Sequence, residues 1–361
     1  MPRENILESD PPTVESPAPK PRSHKVNLMI WAHAVAFLLG LVALVWLTYK
    51  YREPVLESLA RVGWGFALIA GLNITRHLLR AFSMYLAIAP EHRNFKYRSA
   101  VAARFGGEAV TFFTFTGPFL GDATKAVLLR RNVSLTHGAS AVIIDNILYY
   151  ASVILVILAG VGALVMAYGS GGSTVNNILL AVVILLVVLF VGLVLAMIFR
   201  VTPITHAIDF LAGRNLVPGF IFRKRQDILN VENNVFRFYH ERRVDFFKLF
   251  AISMSVHVVS VTEVYFALKY LGFEPLVQTA FIIESLTKVI NVIFGFVPGT
   301  IGVYEGGTGV ILLTLGQATE TGIALGLVRH GAIFISTFIG VLILLWRTLQ
   351  SGARQLSKHR D

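Results

Sequence analysis

Apolar runs of membrane-spanning length dominate the chain, at 28–48, 63–88, 138–168, 177–199, 246–270 and 321–346. A helix needs roughly 20 mostly apolar residues to cross the hydrocarbon core, so each run predicts a transmembrane helix. Two further apolar regions, 100–129 and 278–316, are interrupted by glycine- and proline-rich breaks. The first break reads Thr116-Gly117-Pro118-Phe119-Leu120-Gly121-Asp122-Ala123-Thr124-Lys125. The second reads Gly295-Phe296-Val297-Pro298-Gly299-Thr300-Ile301-Gly302-Val303-Tyr304-Glu305-Gly306-Gly307. Unpaired backbone is not tolerated against acyl chains, so a broken helix at membrane depth persists only inside protein or beside a cavity. The pattern predicts an all-α polytopic membrane protein with about six full transmembrane helices and two re-entrant broken-helix regions. Eight transmembrane segments, with the broken regions as short crossing helices, is the alternative.

The polar stretches set the domain organisation. Residues 1–27 are rich in Pro, Ser and Glu, lack hydrophobic periodicity, and read as a disordered tail. No short basic region leads directly into the first apolar run and no cleavage motif follows it, so the run reads as a retained helix, not a signal peptide. The transmembrane domain spans 28–346. Within it, 200–245 is a basic connector carrying Arg214, Arg223, Lys224, Arg225, Arg237, Arg242 and Arg243. Part of it, Asn215 to Arg225, reads either as an interfacial helix starting at Pro218 or as a plain basic loop. A second basic tail occupies 347–361. Positive residues collect on the cytoplasmic side, which places both termini and the connector there and turns Gly169–Asn177 and Gly272–Pro275 outward. The order of span, broken region and span over 63–168 then recurs over 246–346 with opposite orientation, as in transporters built from inverted repeats.

Composition supports this class. Of 361 residues 55% are hydrophobic and 15% charged, and the mean hydropathy of +0.67 excludes an ordinary soluble domain or a disordered chain. The formal charge of +11 suits anionic lipid headgroups better than nucleic acid, because the basic residues cluster at the ends of apolar segments. The absence of cysteine excludes disulfides, thiolate chemistry and cysteine-ligated metal. No HExxH, GxSxG or P-loop spacing is present, and the pattern implies no metal and no cofactor.

Charges inside the apolar runs are the candidate chemistry. Arg76 and Arg80 sit one turn apart in 63–88, Glu108 precedes the first break, and Asp122 and Lys125 follow it. Asp145 stands near the start of 138–168, Glu263 lies deep in 246–270, Glu284 and Lys288 are four apart, and Arg329 with His330 lies in 321–346. An intramembrane charge costs roughly 2.5–3.5 kcal/mol or more, so it has a partner, a cavity or an escape to the interface. Structural roles compete with functional ones: Glu284 can simply pair with Lys288, Arg80 can snorkel, and Glu263 can tie helices through Arg329 or Arg76. His257 and His330 read as packing or hydrogen-bonding histidines. Arg76, Arg80, Lys125, Lys288 and Arg329 together suit an anionic headgroup, with the carboxylates holding the arginines or coupling to protons. Backbone amides at Gly117-Pro118 and Pro298-Gly299, where half-helices can start, would add anion-binding dipoles.

Gly121-Asp122-Ala123-Thr124-Lys125-Ala126 resembles the GD-x-x-[RK]-[AG] element of the lysylphosphatidylglycerol synthase transmembrane-region family. Pro298-Gly299-Thr300-Ile301-Gly302-Val303-Tyr304-Glu305 is similar to that family's PG-x-x-G-x-x-E element. Hopanoid-associated members share the same flippase-like membrane domain. The resemblance runs from about Leu28 to Trp346 and implies lipid translocation across a bacterial inner membrane. From the motifs it singles out Gly121, Asp122 and Lys125, then Pro298, Gly299, Gly302 and Glu305. Relatives fuse this domain to a soluble aminoacyltransferase, but only 15 residues follow Trp346, so no such activity is carried over. The cargo expected is an anionic phospholipid or a hopanoid-related lipid. A membrane-embedded lipid or polyprenyl transferase, and a noncatalytic partner of a separate lipid-modifying enzyme, are the competing readings.

Overall fold

The computed structural model describes residues 42, 45, 46, 49–114, 118–169, 173–214, 216, 217 and 219–358. The expected 1–27 tail, all but a few positions of the 28–48 span, and Pro218 as a helix start lie outside these residues. α1 (Arg52–Val62) and α2 (Gly65–Ala87) meet at Gly63 and Trp64, where the chain bends by 80°. A left-handed Gly63, at φ +45°, makes that corner. α3 (Tyr97–Phe113) and α4 (Pro118–Leu129) form a hairpin over the first break, followed by the long α5 (Leu135–Tyr168) and α6 (Ser173–Ile198). Ser134 caps α5 by accepting the His137 N–H at 3.3 Å.

The connector is helical. Of α7 (Pro203–Ala212), the single turn α8 (Gly219–Phe222) and α9 (Arg225–Glu241), only α8 falls inside the 215–225 segment expected as a short helix or a loop, and α9 begins where that segment ends. Pro203 opens α7, whose first amide hydrogens, on Ile204 and Thr205, are donated to the Glu232 carboxylate at 2.8 and 3.1 Å. α10 (Arg243–Tyr270), α11 (Val277–Ile293), a 3₁₀ turn (Pro298–Thr300), α12 (Val303–Thr314) and α13 (Thr319–Lys358) complete the described chain.

Among the described residues, four helical stretches are long and apolar enough to cross a membrane: Leu135–Tyr168, Leu180–Ile198, Arg243–Tyr270 and Thr319–Gln350. The bent α1–α2 pair makes a fifth if it is one span. Six full crossings were expected with the 28–48 run, which lies outside these residues; of the other five runs, 63–88 does not qualify by itself. The 63–88 run qualifies only together with α1, because α2 carries Asn73, Arg76, His77 and Arg80 within 23 residues. The bend at Gly63 was not expected either. α6 shows the surroundings this surface suits: Leu180, Ile184, Leu185, Val188 and Leu189 are all more than half exposed, an apolar surface matched to acyl chains.

α2 lies at the centre, packing most extensively on α10 and also on α3, α5 and α13. Its two ends enter different apolar clusters. Ile69 and Ala70 join Val264, Leu268, Ile283, Leu312 and Leu325, whereas Met84, Ala87 and Ile88 join Ala103, Leu129, Ile144, Leu148 and Leu249. The segment between, with Asn73, Arg76 and Arg80, forms a polar band flanked by oil on both sides. The helices at the two breaks match in length: 17 and 12 residues for α3 and α4, and 17 and 12 for α11 and α12.

Candidate functional site

The central helix divides its two arginines between separate networks. Arg80 donates from Nε and Nη2 to Asp145 Oδ2 at 3.0 and 2.6 Å, and from Nη2 to Asn146 Oδ1 at 2.9 Å. Its guanidinium also lies 3.8 Å from the centroid of the Tyr149 ring, a close cation–π contact. Arg104, on α3, approaches the same Asp145 oxygen at 3.8 Å and pairs with Glu108 one turn on at 2.9 Å. Lys125, on α4, bonds Glu108 at 2.9 Å and Asp122 at 3.0 Å, and Asn146 donates to the other Asp122 oxygen at 2.7 Å. The contacts close into a ring of seven side chains holding three cations and three carboxylates. It is neutral within itself and ties α2, α3, α4 and α5 together.

The second network does not balance. Arg76 donates to Glu263 Oε2 at 2.9 Å, and Arg329 Nε donates to Glu263 Oε1 at 3.0 Å. Arg329 Nη2 faces Glu284 Oε2 at 2.8 Å without hydrogen-bond alignment, and its Nη1 donates to the Tyr304 hydroxyl. Lys288 donates to Glu284 Oε1 at 2.6 Å. Three cations therefore meet two carboxylates, leaving one positive charge over. Arg329 has a partner on every nitrogen, whereas Arg76 Nε is buried without one and Lys288 makes a single bond. The donors left over belong to Arg76 and Lys288.

Both residues face a cavity of about 820 Å³. Its wall includes Pro118 and Phe119 from the first break, Gly295, Phe296 and Thr300 from the second, and Tyr149 and Tyr150 from α5. The two breaks thus converge on one space. The second break also touches the end of α3, where a Cβ on Gly299 would lie 2.7 Å from the Phe112 ring.

Local sequence explains both breaks. In the second, Gly299 and Thr300 adopt the left-handed region, at φ +59° and +52°, which for threonine requires outside support. His330 supplies it: Nε2 donates to the Gly299 carbonyl at 2.8 Å while Nδ1 contacts Glu305 Oε1. The other Glu305 oxygen accepts the Gly302 N–H at 2.8 Å and so caps α12. In the first break, Gly121 and Gly107 let α4 and α3 approach closely. A Cβ on Gly121 would lie 1.8 Å from Thr111 Oγ1 and 2.7 Å from the Gly107 carbonyl.

Of the residues singled out by sequence, Arg76, Pro118, Glu284, Lys288 and Arg329 line the cavity, and Glu263 stands behind it. Arg80, Glu108, Asp122 and Lys125 belong to the closed ring, Gly121 to the hairpin, and Pro298, Gly299, Gly302 and Glu305 to the second break. Gly117 lies outside the described residues. Glu284 does pair with Lys288, but Arg329 joins them and the lysine still faces the cavity. Sequence reasoning missed Arg104, Asn146, Tyr149 and Tyr304. The i,i+4 spacing of Arg104 and Glu108 and the tyrosine pair in an apolar span were the available signals.

Over residues 30–340 the chain matches the family described as the lysylphosphatidylglycerol synthase TM region. No curated protein and no solved structure matches it.

Proposed function

Because the chain belongs to the lysylphosphatidylglycerol synthase transmembrane-region family, we propose that it moves a lipid with an anionic headgroup between the leaflets of the inner membrane. The observation that carries this reading is the single cavity where both helix breaks meet beside a network with one uncompensated positive charge. A phosphate there takes its hydrogen bonds from Arg76 and Lys288, whose donors are left over. Arg329 positions both carboxylates, and the aromatic wall of Phe119, Tyr149, Tyr150 and Phe296 receives the less polar part of the headgroup. The acyl chains stay in the bilayer.

The finer architecture belongs to the same proposal. At about 1.5 Å per residue, α3 and α11 reach about 25 Å and α4 and α12 about 18 Å, all short of a ~30 Å hydrocarbon core. Each pair folds back beside its break, which supports two re-entrant regions over the eight-span alternative. The matched lengths support inverted repeats over 63–168 and 246–346, with six full crossings once 28–48 is included and both termini cytoplasmic. The flanking segments are then a 1–27 cytoplasmic tail, the basic connector at 200–245 and the basic tail at 347–361.

The test is leaflet exchange of labelled phosphatidylglycerol and labelled phosphatidylcholine in sealed proteoliposomes. Exchange of the anionic lipid well above protein-free vesicles, and above the zwitterionic lipid, is the expected result. Equal rates with and without protein, across a panel of headgroups, would refute translocation and bring the transferase and partner readings forward.

A further inference from the structure

Glu305 and His330 stand next to the cavity without being part of it. Their sequence neighbours, Tyr304 and Arg329, line it and bond across the α12–α13 contact. One rung away Glu305 and His330 bond across the same contact, and both are almost wholly buried, at 1% and 3% exposed. Each rung therefore feels any movement of the other.

The hydrogen bonds of the imidazole set its proton count. A carbonyl only accepts, so the contact with Gly299 requires a hydrogen on Nε2. The contact between Nδ1 and Glu305 Oε1 requires another, resident on either atom. The pair is neutral as a unit, either imidazolium with carboxylate or imidazole with carboxylic acid. Removal of that shared proton sets the Nδ1 lone pair against a carboxylate lone pair, so the contact is lost. The surroundings offer no substitute. Tyr304 on α12 has its ring centroid 5.1 Å from that of His330, but its hydroxyl accepts from Arg329. Arg329 on α13, Glu263 on α10, Glu284 and Lys288 on α11 and Arg76 on α2 are bound to one another. α3 presents Phe112, and its Arg104 and Glu108 are engaged in the closed ring.

We propose that Glu305 and His330 form a proton-binding site that couples lipid translocation to proton movement, the shared proton holding the second helix break closed and its release freeing it. When the proton leaves for water in the cavity, His330 turns from Glu305 and lets go of the Gly299 carbonyl. The left-handed pair Gly299 and Thr300 then keeps only its local bonds, from Thr300 Oγ1 to the Gly299 carbonyl and from the Thr300 N–H to the Val297 carbonyl, and the break that walls the cavity is freer to move. The proton is released toward one face of the membrane and its replacement is taken up from the other after the lipid has crossed, which restores the latch and carries one proton with each lipid. The site handles one proton per cycle, and the proposal rests on the translocation reading above.

The experiment uses the full chain in sealed vesicles of phosphatidylcholine with labelled phosphatidylglycerol, the membrane potential clamped and a pH dye enclosed. With one proton per lipid, an imposed difference of one pH unit shifts the steady leaflet ratio about tenfold, and lipid movement carries a matching proton flux. Glu305→Gln is the informative variant. Its amide accepts the Gly302 N–H and donates to Nδ1, so it mimics the proton-bound pair and cannot release. Both Glu305→Gln and His330→Gln, checked for folding, lose the gradient response and the proton signal. Wild-type exchange that ignores the gradient overturns the proton site and leaves translocation standing, and that arm depends on no variant. A Glu305→Gln response equal to wild type overturns the assignment to this pair. Absence of exchange under any condition overturns translocation and the coupling with it.

Discussion

Arg76 and Arg80, one turn apart on one helix, end in different electrostatic circumstances, and their substitutions separate accordingly. Arg80 belongs to a ring in which every charge is answered, so Arg80→Ala leaves buried Asp145 with no hydrogen-bonded cation, only Arg104 at 3.8 Å. Removing one partner of such a pair destabilises by about 3–5 kcal/mol. Thermal unfolding in detergent is therefore expected to show a clear loss for Arg80→Ala. Lys288→Ala leaves Glu284 still facing Arg329, and Arg76→Ala leaves Glu263 still bound by Arg329. Both are expected to lower phosphatidylglycerol exchange about tenfold or more with a smaller loss of stability, because each removes an unspent donor from the cavity wall. A stability profile in which Arg76→Ala is as damaged as Arg80→Ala would argue that the second network is also only a fastener. The presence of these buried charges was legible in the sequence from their place within apolar runs. Some partners were legible too, Glu284 with Lys288 and Glu263 with Arg329 or Arg76, whereas Arg80 with Asp145, 65 positions away, was not.

At the scale of elements, the two breaks rest on different devices. The first is a matter of closeness, with Gly107 and Gly121 facing each other where α3 meets α4. Gly121→Ala drives a methyl into Thr111 and the Gly107 carbonyl, an overpacking that costs about 1–3 kcal/mol. The expected consequence is a lower melting temperature together with disturbed Lys125 contacts, while Gly162→Ala, which meets open space, changes little. Equal melting temperatures for the two would remove the close-approach argument. The second break is a matter of backbone conformation, supported by a histidine from another helix. The glycine–proline punctuation of both breaks was readable from sequence, since these residues mark where a helix stops. The bend at Gly63 escaped because one glycine beside a tryptophan in an apolar stretch gives no comparable signal.

For the whole molecule, the arrangement proposed above makes a topological prediction that the cysteine-free chain is suited to test. Single cysteines at Arg223 and Arg237 in the connector are expected to react with an impermeant thiol reagent only from the cytoplasmic side, and one at Gly272 only from outside. Labelling of Gly272 and Arg223 from the same side would break the inverted-repeat arrangement. A sequence by itself determined the solvent this protein lives in, the places where its helices stop, and the family, because hydropathy, helix-breaking residues and short motifs are local properties. It also exposed the anomaly of so many charges in oil. Only the tertiary structure decided what those charges do: one neutral ring closed on itself, and one network with a cation to spare beside a cavity where the two breaks meet. That division turns on distances of a few ångströms between residues on different helices, and Coulomb and hydrogen-bond energies depend on those distances, not on position along the chain.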